Sequence, residues 1–198
     1  RMRRSEFWIA AVCAISVLAL GPLQAVVIAF LLSMIDLLRR ASRPVTSVLR
    51  EAPDGSHFVD VEPGSAPDTS GLIIYRFGAP LYFANAGVLE EEVETLLAQA
   101  TAPVKWLVLD AQAMVDIDTS GAEVMHQILS RLADQGVTVA MSRPNQSLLK
   151  LLDRYQLLEL IEQRHRYPTN RHAMAAFRQE YDLPSPETGP AQEGSDDE

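Results

Sequence analysis

At 198 residues, 47% hydrophobic and 22% charged, the chain has room for one ordinary domain plus one membrane element. The net charge of −9 is unevenly placed: seven arginines against Glu6 and Asp36 make residues 1–50 +5, which leaves −14 for residues 51–198. That acidic remainder argues against nucleic-acid binding, which needs clustered positive charge, and the single Cys13 excludes an internal disulfide.

No charged residue occurs between Phe7 and Ile35, a run longer than the roughly 20 residues one membrane-spanning helix needs. Gly21-Pro22 lies near its middle, where proline removes a backbone donor and clashes with the preceding turn. Two readings follow: one kinked span, or a hairpin of helices over residues 6–20 and 23–40. Arg1, Arg3 and Arg4 precede the run, and Arg39, Arg40 and Arg43 follow it. The positive-inside rule places both basic ends on the cytoplasmic side, which favours the hairpin and a basic collar against anionic headgroups. Asp36 has Arg39 and Arg40 three and four residues on and is expected to pair with them at the membrane edge. A signal peptide fits poorly, because arginines bracket the run and no small-residue cleavage site follows. A chain that starts at Arg1 and enters the membrane at once is expected to be the end of something larger.

Arg43-Pro44 ends the helical pattern. A first short strand is predicted over residues 45–49. Residues 51–71, rich in Pro and Gly, read as a surface excursion with one edge strand at Phe58–Val61. Leu72–Phe77 is predicted as a strand that Leu81-Tyr82-Phe83 extends or follows. Asn85 is placed to cap the next helix, whose apolar stripe is Leu89, Val93, Leu96, Leu97 and Ala100. Glu90, Glu91, Glu92 and Glu94 are read as its solvated face. A near-continuous apolar strand over residues 104–110 suits a sheet covered on both sides. A helix to about Gln135 buries Met125, Ile128, Leu129 and Leu132, and Gly136 ends it. Residues 137–141 form a third core strand. Leu148, Leu149, Leu151 and Leu152 lie on the next helix, with Leu157, Leu158, Leu160 and Ile161 adding core. A last helix is predicted near residues 170–181. The composition beyond Pro184 cannot bury a core and predicts disorder. The alternation specifies an α/β fold, a small mixed sheet with packed helices.

Between the second and third core strands stands Asp116-Ile117-Asp118-Thr119-Ser120-Gly121. Ser120 followed by Glu123 is a capping box, in which the hydroxyl accepts from an orphan amide and the glutamate reaches back. The same residues also fit a phosphorylation switch. A helix N-terminus beside a glycine can hold a phosphate, and new charge near Asp116, Asp118 and Glu123 would alter the surface shown to a partner.

Other chemistry is sparse. His57, His126, His165 and His172 are scattered without ligand-spaced partners, so no metal is expected, and His126 falls off the apolar stripe. No phosphate-binding loop is present, no cofactor is expected, and Asp110, Asp116 and Asp118 read as loop and cap residues rather than an enzymatic site.

The strand-loop-Asp118-Thr119-Ser120-Gly121-helix pattern resembles the STAS domain, shared by anti-sigma-factor antagonists and the C-terminal regions of SulP anion transporters. The wider pattern is similar to the SulP proteins: Leu72–Phe77, then Ala79-Pro80-Leu81-Tyr82-Phe83-Ala84-Asn85-Ala86, Val104-Lys105-Trp106-Leu107-Val108-Leu109-Asp110 and Val115-Asp116-Ile117-Asp118. The uncharged run with Leu37-Leu38-Arg39-Arg40-Ala41-Ser42-Arg43-Pro44 also resembles that family's last membrane helices. The resemblance implies a SulP-type secondary transporter of sulfate, bicarbonate or a related anion, multi-pass in the plasma membrane. It implies transmembrane helices over residues 1–43 and a cytoplasmic STAS domain over residues 44–182, which leaves residues 183–198 as the acidic tail whose composition predicts disorder. It further implies homodimer contacts, upstream membrane helices and a regulatory partner at the STAS surface. Ser120 maps onto the position phosphorylated in the antagonists, with Thr119 beside it. No substrate-binding residue is carried over, since the family's anion site lies upstream. The alternative is a free-standing, membrane-tethered STAS regulator switched at Ser120.

Overall fold

The computed structural model describes Val12, residues 21–63 and residues 71–183. Apart from Val12, the helix predicted over residues 6–20 lies outside the described residues, as does the tail beyond Leu183. The chain divides into two compact units, Arg1–Arg43 and Pro44–Glu198.

In the first unit, helix α1 spans Pro22–Ala41. It starts where the sequence dictates. Gly21 adopts φ +91, a left-handed conformation open to glycine, and its carbonyl accepts the first helical bond from Ala25 N at 3.2 Å. Pro22 occupies the first helical position, where its missing N–H costs nothing. Leu23, Val26, Val27, Phe30, Leu31, Ile35, Leu37 and Leu38 are all exposed, the dress of a helix made for apolar surroundings. Among the described residues, α1 is the one helix long and apolar enough to cross a membrane.

The second unit is a six-stranded mixed sheet in the order β2-β1-β3-β4-β5-β6. Its strands are β1 (Thr46–Glu51), β2 (Phe58–Val61), β3 (Leu72–Phe77), β4 (Trp106–Asp110), β5 (Thr138–Ser142) and β6 (Arg166–Tyr167). The β2, β1 and β3 pairings are antiparallel, whereas β3 through β6 run parallel. Helices α2 (Ala86–Gln99), α3 (Thr119–Asp134) and α4 (Gln146–Arg154) cover one face, and α5 (Asn170–Glu180) covers the other.

Period-two alternation divides the strands between these layers. Ile73, Tyr75, Phe77, Leu107 and Leu109 meet the α2–α4 side, in a core shared with Leu89, Val93, Met125, Leu129, Leu132 and Leu148. Leu49, Leu72, Ile74, Trp106 and Val108 meet Ala173, Met174 and Phe177 of α5. Every residue of β4 is buried for this reason.

Several local expectations need correction. Leu81-Tyr82-Phe83 does not form a strand; only an isolated parallel bridge, Leu81 to Ile117, forms there. The first strand runs over Thr46–Glu51 rather than residues 45–49. Asn85 precedes α2 but its side chain caps nothing. Instead its carbonyl accepts from Tyr82 N at 2.8 Å and its amide donates to Pro80 O at 2.9 Å, closing the loop before the helix. The glutamates of α2 are not simply solvated. Glu92 accepts from Tyr75 Oη at 2.8 Å and Thr46 Oγ1 at 3.0 Å, tying α2 to two strands. Arg131 of α3 pairs with Glu90 at 2.8 Å and with Glu94. Burial, then Glu92, raises the Tyr75 phenol well above its ordinary value.

Candidate functional site

Two loops at the carboxyl ends of β3 and β4 are zipped together by backbone. Leu81 N donates to Asp116 O at 3.0 Å and Asp118 N donates to Leu81 O at 3.1 Å, on either side of the Leu81–Ile117 bridge. Gly121 makes this approach possible. A Cβ there would sit 2.6 Å from the carbonyl oxygen of Leu81, closer than any side-chain carbon tolerates.

Asp118, not Ser120, is the cap of α3. Its Oδ1 accepts from Gly121 N at 2.7 Å, and its main-chain carbonyl accepts from Ala122 N at 2.8 Å. The capping box read from Ser120 and Glu123 is therefore displaced. The helix begins at Thr119, so Ser120 already lies inside it and Glu123 is too far along to reach back. Both are exposed. The second oxygen of Asp118 accepts from Phe83 N at 3.0 Å, so one carboxylate caps the helix and pins the neighbouring loop. Asp116 accepts from its neighbour Ile117 N at 2.9 Å and from Tyr82 Oη at 3.1 Å. Partial desolvation, then this bond to Asp116, raises the Tyr82 phenol. Thr119 Oγ1 stands 3.5 Å from Tyr155 Oη. On the far side, Asn145 caps α4 through Leu148 N at 2.8 Å, with its amide 3.4 Å from Met114 O.

The structure thus brings Asp116, Asp118, Thr119, Ser120, Gly121 and Glu123 to one ridge and leaves the Ser120 hydroxyl outside the cap. Exposed Tyr82, Phe83 and Val115 flank that ridge. In the sequence Tyr82 and Phe83 read as strand residues beside Leu81 and Val115 as part of the motif segment, so none of the three announces itself as exposed.

Asp110 belongs elsewhere, and it is not a loop residue. It ends β4 fully buried and accepts five bonds. Arg76 Nε donates at 2.9 Å, Arg143 Nε at 3.0 Å, Asn170 Nδ2 at 3.1 Å and Gln112 N at 3.2 Å, and Arg143 Nη2 is the fifth. Arg76 also reaches Asp60 of β2 at 2.8 Å. Burial alone would push the Asp110 carboxyl up, but bonds from Arg143, Arg76, Asn170 and the Gln112 amide outweigh it and hold it below the usual aspartate value. Saturation by cations suits a structural knot rather than acid–base work.

The histidines stay apart. His57, His126 and His172 are exposed, and His165 is buried edge-on to Trp106 with ring centroids 4.9 Å apart. Among the described residues, no group of three or more metal-ligating side chains assembles.

The STAS domain family model matches residues 65–173. A probable sulfate transporter of Mycobacterium tuberculosis strain H37Rv is 37% identical over 180 residues, covering 90% of this chain and 32% of that protein. This chain therefore spans about a third of the length of that relative. Among solved structures, the murine Solute Carrier 26 family member A9 anion transporter in its inward-facing state aligns with a TM-score of 0.73 at 18% identity, over 91% of this chain and 29% of that one. The SulP transporter STAS domain from Vibrio cholerae aligns with a TM-score of 0.50 at 19% identity, over 57% and 84%. The apolar helix with its α/β unit has the same kinship as the motif ridge: this chain belongs to the STAS family and is homologous to the STAS-bearing sulfate transporters of the SulP group.

Proposed function

We propose that this chain is the C-terminal part of a SulP-type secondary anion transporter, with α1 among its last membrane spans and the unit from Pro44 onward as its regulatory, cytoplasmic STAS domain. One observation carries this reading: the alignment with the mycobacterial relative takes in 90% of the chain, so the apolar segment and the α/β unit are related together and in the same order. The proposed cargo is sulfate or a related anion, moved by proton or sodium coupling or by exchange at the plasma membrane. A homodimer and a regulatory protein at the STAS surface belong to the same proposal.

The left-handed Gly21 immediately before Pro22 supports a turn between two spans, with both basic ends on one side. Cysteines placed at Arg4 and Ser42 should then label from the same face of the membrane; labelling from opposite faces would establish a single span.

Transport is tested with the natural gene product that contains this chain. Cells expressing it should accumulate labelled sulfate or bicarbonate, with competition by the unlabelled anion. Uptake of inorganic anions and dicarboxylates no higher than in vector controls would refute the reading.

The exposed Ser120 hydroxyl favours a second reading, a membrane-tethered STAS regulator. A phosphate there would add up to about two negative charges beside Asp116, Asp118 and Glu123 without breaking the Asp118 cap. Recovery of phospho-Ser120 from source cells, together with unchanged anion uptake on deleting the gene, would favour that regulator over the transporter.

A further inference from the structure

On the layer opposite α3, His165 is the one histidine that the fold buries. It is 6% exposed, whereas His57, His126 and His172 lie at the surface. It closes the short turn before β6, and its ring packs against the Trp106 indole with centroids 4.9 Å apart. That indole in turn carries the C-terminal half of α5. It meets Phe177 at 5.8 Å and donates from Nε1 to Glu180 Oε1 at 3.3 Å, while Tyr167 of β6 stacks on it at 6.2 Å. The other end of α5 is fixed separately, by Asn170 on Asp110. One imidazole therefore backs the side chain on which half a helix rests.

The surroundings disfavour charge on that ring. Burial comes first and neighbouring Arg164 second; Glu162 and Glu180 act the other way without cancelling them, so His165 holds its proton less readily than an ordinary histidine. Both carboxylates are already engaged, Glu162 by Arg164 Nε at 2.5 Å and Glu180 by the indole. Strand β5, which contacts the turn, has no titratable residue. Arg166 is spent on the carbonyls of Leu158 and Ile161, and Lys105 lies 3.9 Å over the Tyr181 ring. The Tyr167 and Tyr181 phenols, raised by desolvation, stay neutral.

The sign follows. A histidine freed to water titrates near about pH 6.5 and the packed one lower, so the contact contributes fully above that value. Below it the released ring takes up the proton first, and docking weakens by at most about tenfold per pH unit, the limit for one proton.

We propose that His165 and Trp106 form an acid-sensitive latch on α5: neutral His165 keeps the indole against Phe177 and Glu180, and protonation drives the imidazole toward water and frees the C-terminal half of the helix from the sheet. The latch belongs to the α/β unit and goes beyond any reading of what the chain transports.

Trp106, 1% exposed, is its own reporter. In the full chain in phosphatidylcholine nanodiscs, Trp8→Phe leaves it as the sole tryptophan. Acrylamide is a neutral quencher whose encounter with indole does not depend on pH. As pH falls from about 7.5 to about 5, across the histidine range, Trp106 emission should shift to the red and acrylamide quenching should rise. The rise should be no steeper than about tenfold per unit, with its midpoint below about pH 6.5 and the circular dichroism unchanged. His165→Phe keeps a ring that takes no proton and should leave Trp106 blue and shielded throughout. His165→Gln, equally unable to titrate, should be as insensitive to pH whatever its baseline, so a packing defect in one variant does not decide the result. Arg164→Gln, at an exposed site, removes the repelling cation and should move the midpoint to higher pH.

A flat Trp106 signal, an acid response retained by both His165 variants, or a midpoint that Arg164→Gln leaves in place or lowers overturns the proposal. So does a better-shielded Trp106 in acid, which would show the imidazolium held over the indole as a cation–π pair. Exposure of Trp106 together with loss of circular dichroism would assign the change to global unfolding and overturn the latch equally.

Discussion

Arg143 holds Asp110 by two edges of its guanidinium, Nε to Oδ1 at 3.0 Å and Nη2 to Oδ2. It does so from a left-handed backbone, φ 55, a conformation that costs a non-glycine residue about 1–2 kcal/mol. The same carboxylate bonds Asn170 at the start of α5, so one buried aspartate joins β3, β5 and the helix on the opposite layer from α3.

Asp110→Asn should therefore destabilise the α/β unit by about 3–5 kcal/mol, because two arginines lose their shared buried partner. A pH signature accompanies it. The folded-state value of Asp110 lies below the ordinary 3.8, so its contribution is complete above that value and is lost as pH falls through the lower folded value. Urea unfolding of wild type should thus weaken more steeply below about pH 4 than that of Asp110→Asn. Parallel acid profiles would contradict the role assigned to the pair.

At the motif ridge, Asp118→Ala should cost about 1–2 kcal/mol through the lost cap, and it should also free the loop that Asp118 pins at Phe83 N. Ser120→Ala should change stability by less than about 0.5 kcal/mol, as an exposed site away from the cap. Thermal unfolding of the two variants distinguishes the assignments. A larger loss for Ser120→Ala than for Asp118→Ala would restore the capping box.

Two glycines should respond with opposite signs. Gly121→Ala places a Cβ 2.6 Å from Leu81 O and 3.0 Å from Leu81 Cγ, and backbone cannot yield cheaply, so a loss of about 1–3 kcal/mol is expected. Gly87 lies in α2 with nothing within 4 Å of the added atom. Gly87→Ala should stabilise by about 0.5–1 kcal/mol. Equal effects in a melting comparison would show that the two loops do not pack as closely as the Leu81 contact requires.

What the sequence reveals of this molecule follows from the range of each interaction. The strand at Phe58–Val61 shows as a brief apolar run between proline and glycine punctuation, the stripe of Met125, Ile128, Leu129 and Leu132 as a helical period, and both appear at the places the sequence indicates. The α3 cap was harder, because Asp118 and Ser120 each offer a cap oxygen three residues before an amide. The choice is made by Gly121 against Leu81, a contact 40 residues apart in sequence. Asp110 was illegible for the same reason. Its partners Arg76, Arg143 and Asn170 lie 34, 33 and 60 residues away, and no local pattern announces them. Glu92 likewise looks like one more solvated glutamate until the sheet brings Tyr75 to it.

On the proposed reading, this chain is the C-terminal part of a larger membrane transporter. The most direct measurement is the size of the native gene product, by immunoblot of source-cell membranes with an antibody to residues 184–198. The expected band lies far above the 21.8 kDa of this chain, in keeping with a relative of which it spans 32%. A band at 21.8 kDa would contradict the transporter reading and make the tethered regulator the better account.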